Sequence, residues 1–152
     1  MRLVYQRVSS ASVVVDGRTV GEIGAGCLLL LGVQQGDTEA EAELLARKAA
    51  ELRVFSDENG KFTYSLLDID GEALVVSNFT LAGNCRHGRR PEFISAARPE
   101  TAKPLYEYYV QKLKEAGVRK VATGEFGADM QVNLCGDGPV TIWMDTDEMK
   151  KK

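Results

Sequence analysis

The sequence predicts an α/β fold: a single domain of curved, largely antiparallel β-sheet, barrel- or sandwich-like, covered by two main α-helices. Three observations predict it. Short runs rich in Val, Leu, Ile and Thr, punctuated by Gly, Asp and Asn, recur from Arg2 to Met144. Only two segments, one after Gly36 and one near Pro99, carry apolar residues at helical spacing. A chain of 152 residues is one domain's worth and holds no repeat or linker that would divide it.

Arg2 to Ser10 and Ser12 to Val15 read as strands, and Asp16-Gly17 is a hairpin turn into Thr19 to Ile23. Cys27 to Val33 is apolar throughout, as expected of a strand covered on both faces. Thr38 followed by Glu41 is a capping box and starts a helix running to about Arg53, with Ala40, Leu44, Leu45, Ala49 and Leu52 facing the core. Val54 to Ser56 and Phe62 to Ser65 bracket a turn at Asp57 to Gly60, and Glu72 to Ser77 is the next strand. The second helix runs from near Pro99 to Ala116 and ends at Gly117; its inner face is Leu105, Tyr109, Leu113 and Ala116. Val118 to Thr123, Met130 to Cys135 and Val140 to Met144 complete the sheet. The domain is expected over 1–145, with 146–152 a charged C-terminal tail in which Lys150-Lys151-Lys152 is solvated.

Net charge is −3, which excludes a broadly basic protein that coats a long duplex, so a nucleic-acid partner must be held locally. The one dense basic patch outside the tail is Arg86, Arg89 and Arg90 with His87. No apolar run approaches the ~20 residues of a membrane-spanning helix, and no secretory leader is read at Met1, so a cytoplasmic location without membrane partners is expected. Cys27, Cys85 and Cys135 are odd in number and widely spaced, which suits reduced thiols; neither metal-ligand spacing nor a redox Cys-x-x-Cys occurs. No metal and no cofactor is expected.

Two stretches carry candidate chemistry. Gly136-Asp137-Gly138-Pro139-Val140-Thr141 places a Gly-Pro corner between two strand-like runs; it reads either as a hairpin turn or as a corner that brings main chain close to a ligand. Leu74 to Leu81 begins as a buried strand and ends in Ser77, Asn78, Phe79 and Thr80. Together they resemble the signature motifs of the D-aminoacyl-tRNA deacylases, or D-tyrosyl-tRNA deacylases, whose usual forms are Ser-Gln-Phe-Thr-Leu and Asn-X-Gly-Pro-Val-Thr. Gln6-Arg7-Val8, Ala11-Ser12-Val13, Gly21 to Gly26, Leu30 to Val33, Arg53 to Asp57, Arg89-Arg90-Pro91 and Ala128 to Val132 extend the resemblance along nearly the whole chain, in the family's order. Asn78 stands where glutamine is usual and Gly136 where asparagine is usual, so the resemblance carries backbone roles at those positions better than side-chain roles.

The resemblance implies a D-tyrosyl-tRNA deacylase-like fold and hydrolysis of the ester between the tRNA 3′ end and a D-amino acid or mischarged glycine. It implies that Gly138-Pro139 is a cis pair whose carbonyls face the substrate α-carbon and leave no room for an L side chain. Ser77 to Leu81 then holds the ester and terminal adenosine. Catalytic positions are Ser77, Asn78, Phe79 and Thr80, with backbone N–H groups near Phe79 and Thr80 as oxyanion donors and Thr80 Oγ1 as a positioning group; the ribose 2′-OH assists the water. It also implies a homodimer with the site at the subunit interface, and no DNA partner.

Several residues keep two readings. Arg7 is a clamp on the Gly-Pro pair or a surface strand arginine. Phe79 stacks on adenine or belongs to the core. Arg86, Arg89 and Arg90 meet phosphates of the acceptor end, or form a solvated loop or a subunit contact. His87, among arginines, is a poor general base, and Cys135, without a base beside it, reads as a buried structural thiol rather than a nucleophile. The alternative function is a non-catalytic dimeric module that binds tRNA ends or nucleotides.

Overall fold

The computed structural model describes residues 1–151. Among these residues eight strands and three helices follow one another: β1 (Arg2–Val15), β2 (Arg18–Ile23), β3 (Gly26–Gly32), α1 (Glu39–Glu51), β4 (Phe55–Ser56), β5 (Phe62–Tyr64), β6 (Glu72–Ser77), α2 (Pro99–Glu115), β7 (Val121–Thr123), β8 (Gln131–Asp145) and α3 (Thr146–Met149). A single 3₁₀ turn, Phe79–Ala82, follows β6.

The long strand β1 is the hinge of the sheet, with antiparallel pairing to β2, β3 and β8. Beyond β3 the sheet changes sense: β3 with β6 and β6 with β7 are parallel, because the connections carrying α1 and α2 return the chain to the same end. The sheet is therefore mixed, antiparallel around β1 and parallel across β3, β6 and β7. It nearly closes on itself where β2 meets β7. Gly21 permits that approach, since a Cβ there would lie 2.2 Å from the Thr123 carbonyl oxygen.

Two cores result. Leu3, Tyr5, Leu29, Leu31 and Val75 pack against α1 and α2, whose buried faces are Ala42, Leu45, Ala46, Ala49, Ala50 and Ala102, Leu105, Tyr109, Leu113. Val8, Ala11, Val13, Leu28, Leu74 and Val76 fill the inside of the curved sheet. Strand β1 serves both because its inward-facing phase shifts between Tyr5 and Val8 and again between Val8 and Ala11. Both shifts coincide with breaks in its register with β8. The capping box at Thr38 forms as expected, with Thr38 N–H donating to Glu41 Oε2 at 2.7 Å. On the faces of the helices, Ala40 and Ala116 are exposed rather than core.

One further expectation is corrected. The runs Met130 to Cys135 and Val140 to Met144 are not separate strands joined by a turn; from Gln131 on they belong to the single strand β8, and the Gly-Pro corner is an outward bulge within it. The charged tail begins docked on the domain, and Lys150 and Lys151 at its end are exposed. Thr146 is fully buried and its N–H donates to the Met1 carbonyl at 3.0 Å, while Lys150 pairs with Glu41 and Lys151 with Glu148. Lys152 lies outside the described residues. Among the described residues no helix is long and apolar enough to cross a membrane.

Candidate active site

Strand β6 delivers the first motif. Its parallel partner β3 ends at Gly32, and there the chain turns out of the sheet: Asn78 N–H donates to the Leu31 carbonyl at 2.8 Å. A Cβ on Gly32 would lie 2.9 Å from Leu81 Cβ and 3.0 Å from the Asn78 carbonyl oxygen, so only glycine lets the 3₁₀ turn seat this closely. Arg2 Nη1 then donates to the Leu81 carbonyl at 2.6 Å, and Ser95 Oγ to the Ala82 carbonyl at 3.2 Å, fixing the far end of the turn.

Within the turn, Asn78 acts as the cap. Its Oδ1 accepts from Thr80 N–H at 3.2 Å and also from the Thr80 hydroxyl. Phe79, whose N–H has no hydrogen-bond partner among the described residues, projects outward. The residue is 57% exposed, and its ring meets Phe93 edge-on at 5.2 Å. The core reading of Phe79 is thereby overturned: the turn lifts its side chain off the strand. Of the two expected oxyanion donors, the Thr80 N–H is shared with Asn78 and the Phe79 N–H is free.

Ser77, Asn78, Phe79 and Thr80 line one cavity of about 920 Å³ that opens from the inside of the curved sheet. Its walls are largely apolar, including Leu28, Leu30 and Val76 from the sheet and Phe126, Met130 and Val132 from β8 and the loop before it. The structure thus brings the four motif residues together with that loop, to which the sequence reading assigned no role. Some fifty residues separate the two, and no spacing rule joins them; the only available signal was the Ala128 to Val132 block, quoted for its resemblance alone. A second cavity of about 810 Å³ lies on the other side of the turn and contains none of the four motif residues. It mixes Arg2 and Arg86 with the carboxylates of Asp37, Glu41, Glu92 and Asp147 and so has no single electrostatic preference.

The second motif stands apart from this cavity. Between the register pairs Gln6–Thr141 and Val8–Gly136, Arg7 alone stands opposite Asp137, Gly138, Pro139 and Val140. The Gly138-Pro139 peptide bond is cis, and Gly138 has φ +141°. Arg7 holds the bulge. Its Nε donates to the Asp137 carbonyl at 2.9 Å and lies 3.4 Å from Asp137 Oδ2, while Nη1 donates to the Val54 carbonyl at 2.8 Å. The Phe62 ring covers the guanidinium at 5.9 Å. Gly136 to Pro139 are exposed and none of them lines the cavity of their own chain.

The basic loop is pinned at its base by paired backbone hydrogen bonds of 2.8 and 3.0 Å between Asn84 and Glu92. Arg86, Arg89 and Arg90 are exposed and form no ion pair among the described residues. Cys135 is exposed on β8, which corrects the expectation of a buried thiol. Cys27 is the buried cysteine; burial pushes its thiol up to about 12, which makes it inert. Among the described residues no group of three or more His, Cys, Asp or Glu could hold a metal ion.

The family described as D-Tyr-tRNA(Tyr) deacylase matches residues 4–145. The chain belongs to that family. It is 60% identical over 146 residues to a D-aminoacyl-tRNA deacylase of Roseiflexus castenholzii, covering 96% of this chain and 92% of the relative. It is 55% identical to a D-aminoacyl-tRNA deacylase of Thermosipho melanesiensis, covering 96% and 97%. Among solved structures, one titled c-Myc DNA Unwinding Element Binding Protein superposes with a TM-score of 0.89 at 41% identity, covering 95% of this chain and 98% of that one. One titled as a probable eukaryotic D-amino acid tRNA deacylase superposes with a TM-score of 0.81 at 16% identity, covering 94% and 97%, which shows that the fold of this deacylase family persists at low identity.

Proposed function

We propose that the chain is a D-aminoacyl-tRNA deacylase that hydrolyses the ester joining a D-amino acid, or mischarged glycine, to the tRNA 3′ end. The observation that carries this reading is the cavity rimmed by Ser77 to Thr80, in a chain whose family is that of the deacylases. The ester carbonyl sits at the 3₁₀ turn, where the free Phe79 N–H donates to the oxyanion and Thr80, held by Asn78, positions the acyl end. No side-chain base is required of the protein, because the terminal ribose 2′-OH orients the attacking water; that hydroxyl also makes the substrate RNA rather than DNA. The exposed Phe79 ring offers a stacking face to adenine, and Arg86, Arg89 and Arg90 attract the acceptor phosphates.

Chirality is read by exclusion. The Gly138 and Pro139 carbonyls crowd the α-carbon, so a hydrogen is tolerated where an L side chain would clash. Main-chain atoms do not distinguish one side chain from another, so breadth over D-amino acids follows. Because the corner faces away from its own chain's cavity, it serves the cavity of a second copy, and the site is completed in a homodimer. The outward position of Gly136 to Pro139, with Trp143 of β8 and Phe62 of β5 each more than half exposed, supports this arrangement. Dilution to monomer abolishes turnover on this account, whereas full activity in monomeric protein contradicts it.

The second reading, a non-catalytic module that binds nucleic-acid ends, draws on the name of the 41% identical structural relative. Turnover separates the two. Release of D-tyrosine from D-tyrosyl-tRNA in molar excess over protein supports the hydrolase; protection of the ester supports the binder.

A further inference from the structure

The cavity is electrically simple. Its polar lining consists of neutral groups, Gln6, Ser77, Asn78 and Thr80, with one exception: Asp129 is the only ionisable side chain that lines it among the described residues. Asp129 has no hydrogen bond or ion pair among the described residues, and the two arginines of β1 are committed elsewhere, Arg7 to Asp137 and Arg2 to Asp145. The carboxylate is nonetheless carried on an ordered turn. Gly124 N–H donates to the Val75 carbonyl at 3.0 Å, Ala128 N–H to the Glu125 carbonyl at 3.2 Å, and Gly127 takes φ +78° between them.

Asp129 is exposed at the rim of the cavity, and a ligand seated there meets its negative charge at short range, which favours a cationic group beside it and disfavours an anionic one. An aminoacyl ester brings one positive charge, the α-ammonium, on the carbon next to the ester carbonyl. Its other charges are phosphates, which a carboxylate repels and which the Arg86, Arg89 and Arg90 loop attracts. Charge therefore orients the substrate with its amino group toward Asp129 and its phosphates toward the basic loop.

We propose that Asp129 holds the α-ammonium of the bound ester and makes a free amino group part of what the site recognises. The proposal rests on the deacylase reading above. It makes Asp129 a positioning residue that spares esters whose nitrogen carries an acyl group, the chemistry of a growing peptide on tRNA.

The test is a cycle of one substitution and one substrate change. Wild type and Asp129→Asn are assayed for kcat/KM on D-phenylalanyl-tRNA and on D-phenyllactyl-tRNA, in which a hydroxyl of similar size replaces the ammonium. The substitution is expected to cost about ten- to hundredfold on the amino ester, the range for a hydrogen bond to a charged group, and to leave the hydroxy ester within about twofold. An equal loss on both esters, as from a structural role or a contact to ribose, overturns the proposal, and so does no loss on either. Failure of wild type to cleave D-phenylalanyl-tRNA overturns the deacylase reading beneath it instead.

Discussion

Arg7 and Asp137 are joined twice, through Arg7 Nε to the Asp137 carbonyl at 2.9 Å and through the side-chain pair at 3.4 Å. The Arg7 side chain is 11% exposed while that of Asp137 is 58% exposed, so the pair sits at the surface on a buried stem, and Arg7 Nη1 ties the same bulge to the start of β4 through Val54. A strand bulge that would otherwise move freely is thus referenced to two fixed strands. Replacing Arg7 with lysine keeps the charge and removes the fork. Arg7→Lys is expected to lower kcat/KM on D-tyrosyl-tRNA by about tenfold or more, the equivalent of one hydrogen bond to a charged group, with the fold intact by circular dichroism. Unchanged activity would return Arg7 to a surface arginine.

Gly138 tests the corner itself. A Cβ there would lie 2.7 Å from Val140 N and 2.9 Å from Val140 Cγ2, at a φ of +141° that L side chains rarely adopt. Gly138→Ala must move the corner, and a displacement of this kind costs catalysis on the order of a hundredfold. The site is exposed, so the melting temperature is expected to change little. A variant with normal D-ester hydrolysis would show that the corner is only a bulge.

Asn78 holds Thr80 through its backbone and its hydroxyl. Asn78→Ala removes the cap and is expected to destabilise the protein by about 1 kcal/mol, read as a lower melting temperature, with a loss of activity because the turn loosens. Thr80→Ala leaves the backbone donors in place and is expected to cost less. Complete inactivity of Thr80→Ala with normal folding would identify the hydroxyl as a nucleophile.

Glu41 sets an acid limit on stability. Burial pushes its carboxyl up, but hydrogen bonds from Lys150 and from Thr38 outweigh that and hold it down at about 2, against an ordinary value of 4.5. The folded state therefore favours the ionised form. The resulting stabilisation is complete above about pH 5 and is lost as pH falls toward 2. Melting temperatures across that window are expected to fall more steeply for wild type than for Glu41→Gln, which is less stable at neutral pH. Parallel curves would show that the Glu41 pairings contribute nothing in solution.

Cys135 is exposed, and among the described residues its thiol has no base at hydrogen-bond distance. Cys135→Ala is expected to keep kcat/KM within about twofold, as for an ordinary surface substitution. A dead enzyme would make the thiol the nucleophile.

The local signals in the sequence were good guides where structure is local. The Asp16-Gly17 turn, the Thr38–Glu41 capping box and the helix closing at Gly117 depend on neighbours a few residues away, and all form. What the sequence left open depends on distant partners. β8 is one strand because β1, more than a hundred residues earlier, pairs along both of its halves. Residues 146–151 dock because Met1 and Glu41 receive them. Phe79 is exposed because Gly32 and Arg2, from the first strands, pull the following turn out of the sheet. Both motifs of the site were legible as motifs; their separation on the surface was not, since it follows from the register break opposite Arg7.

The most direct measurement is the rate of ester loss from matched D-tyrosyl-tRNA and L-tyrosyl-tRNA with the purified protein, with a chelator in a parallel sample. The account predicts rapid, catalytic loss of the D ester, indifferent to chelator, while the L ester decays only at its rate without protein. Equal hydrolysis of both would contradict chirality read by the corner, and protection of both would contradict catalysis altogether.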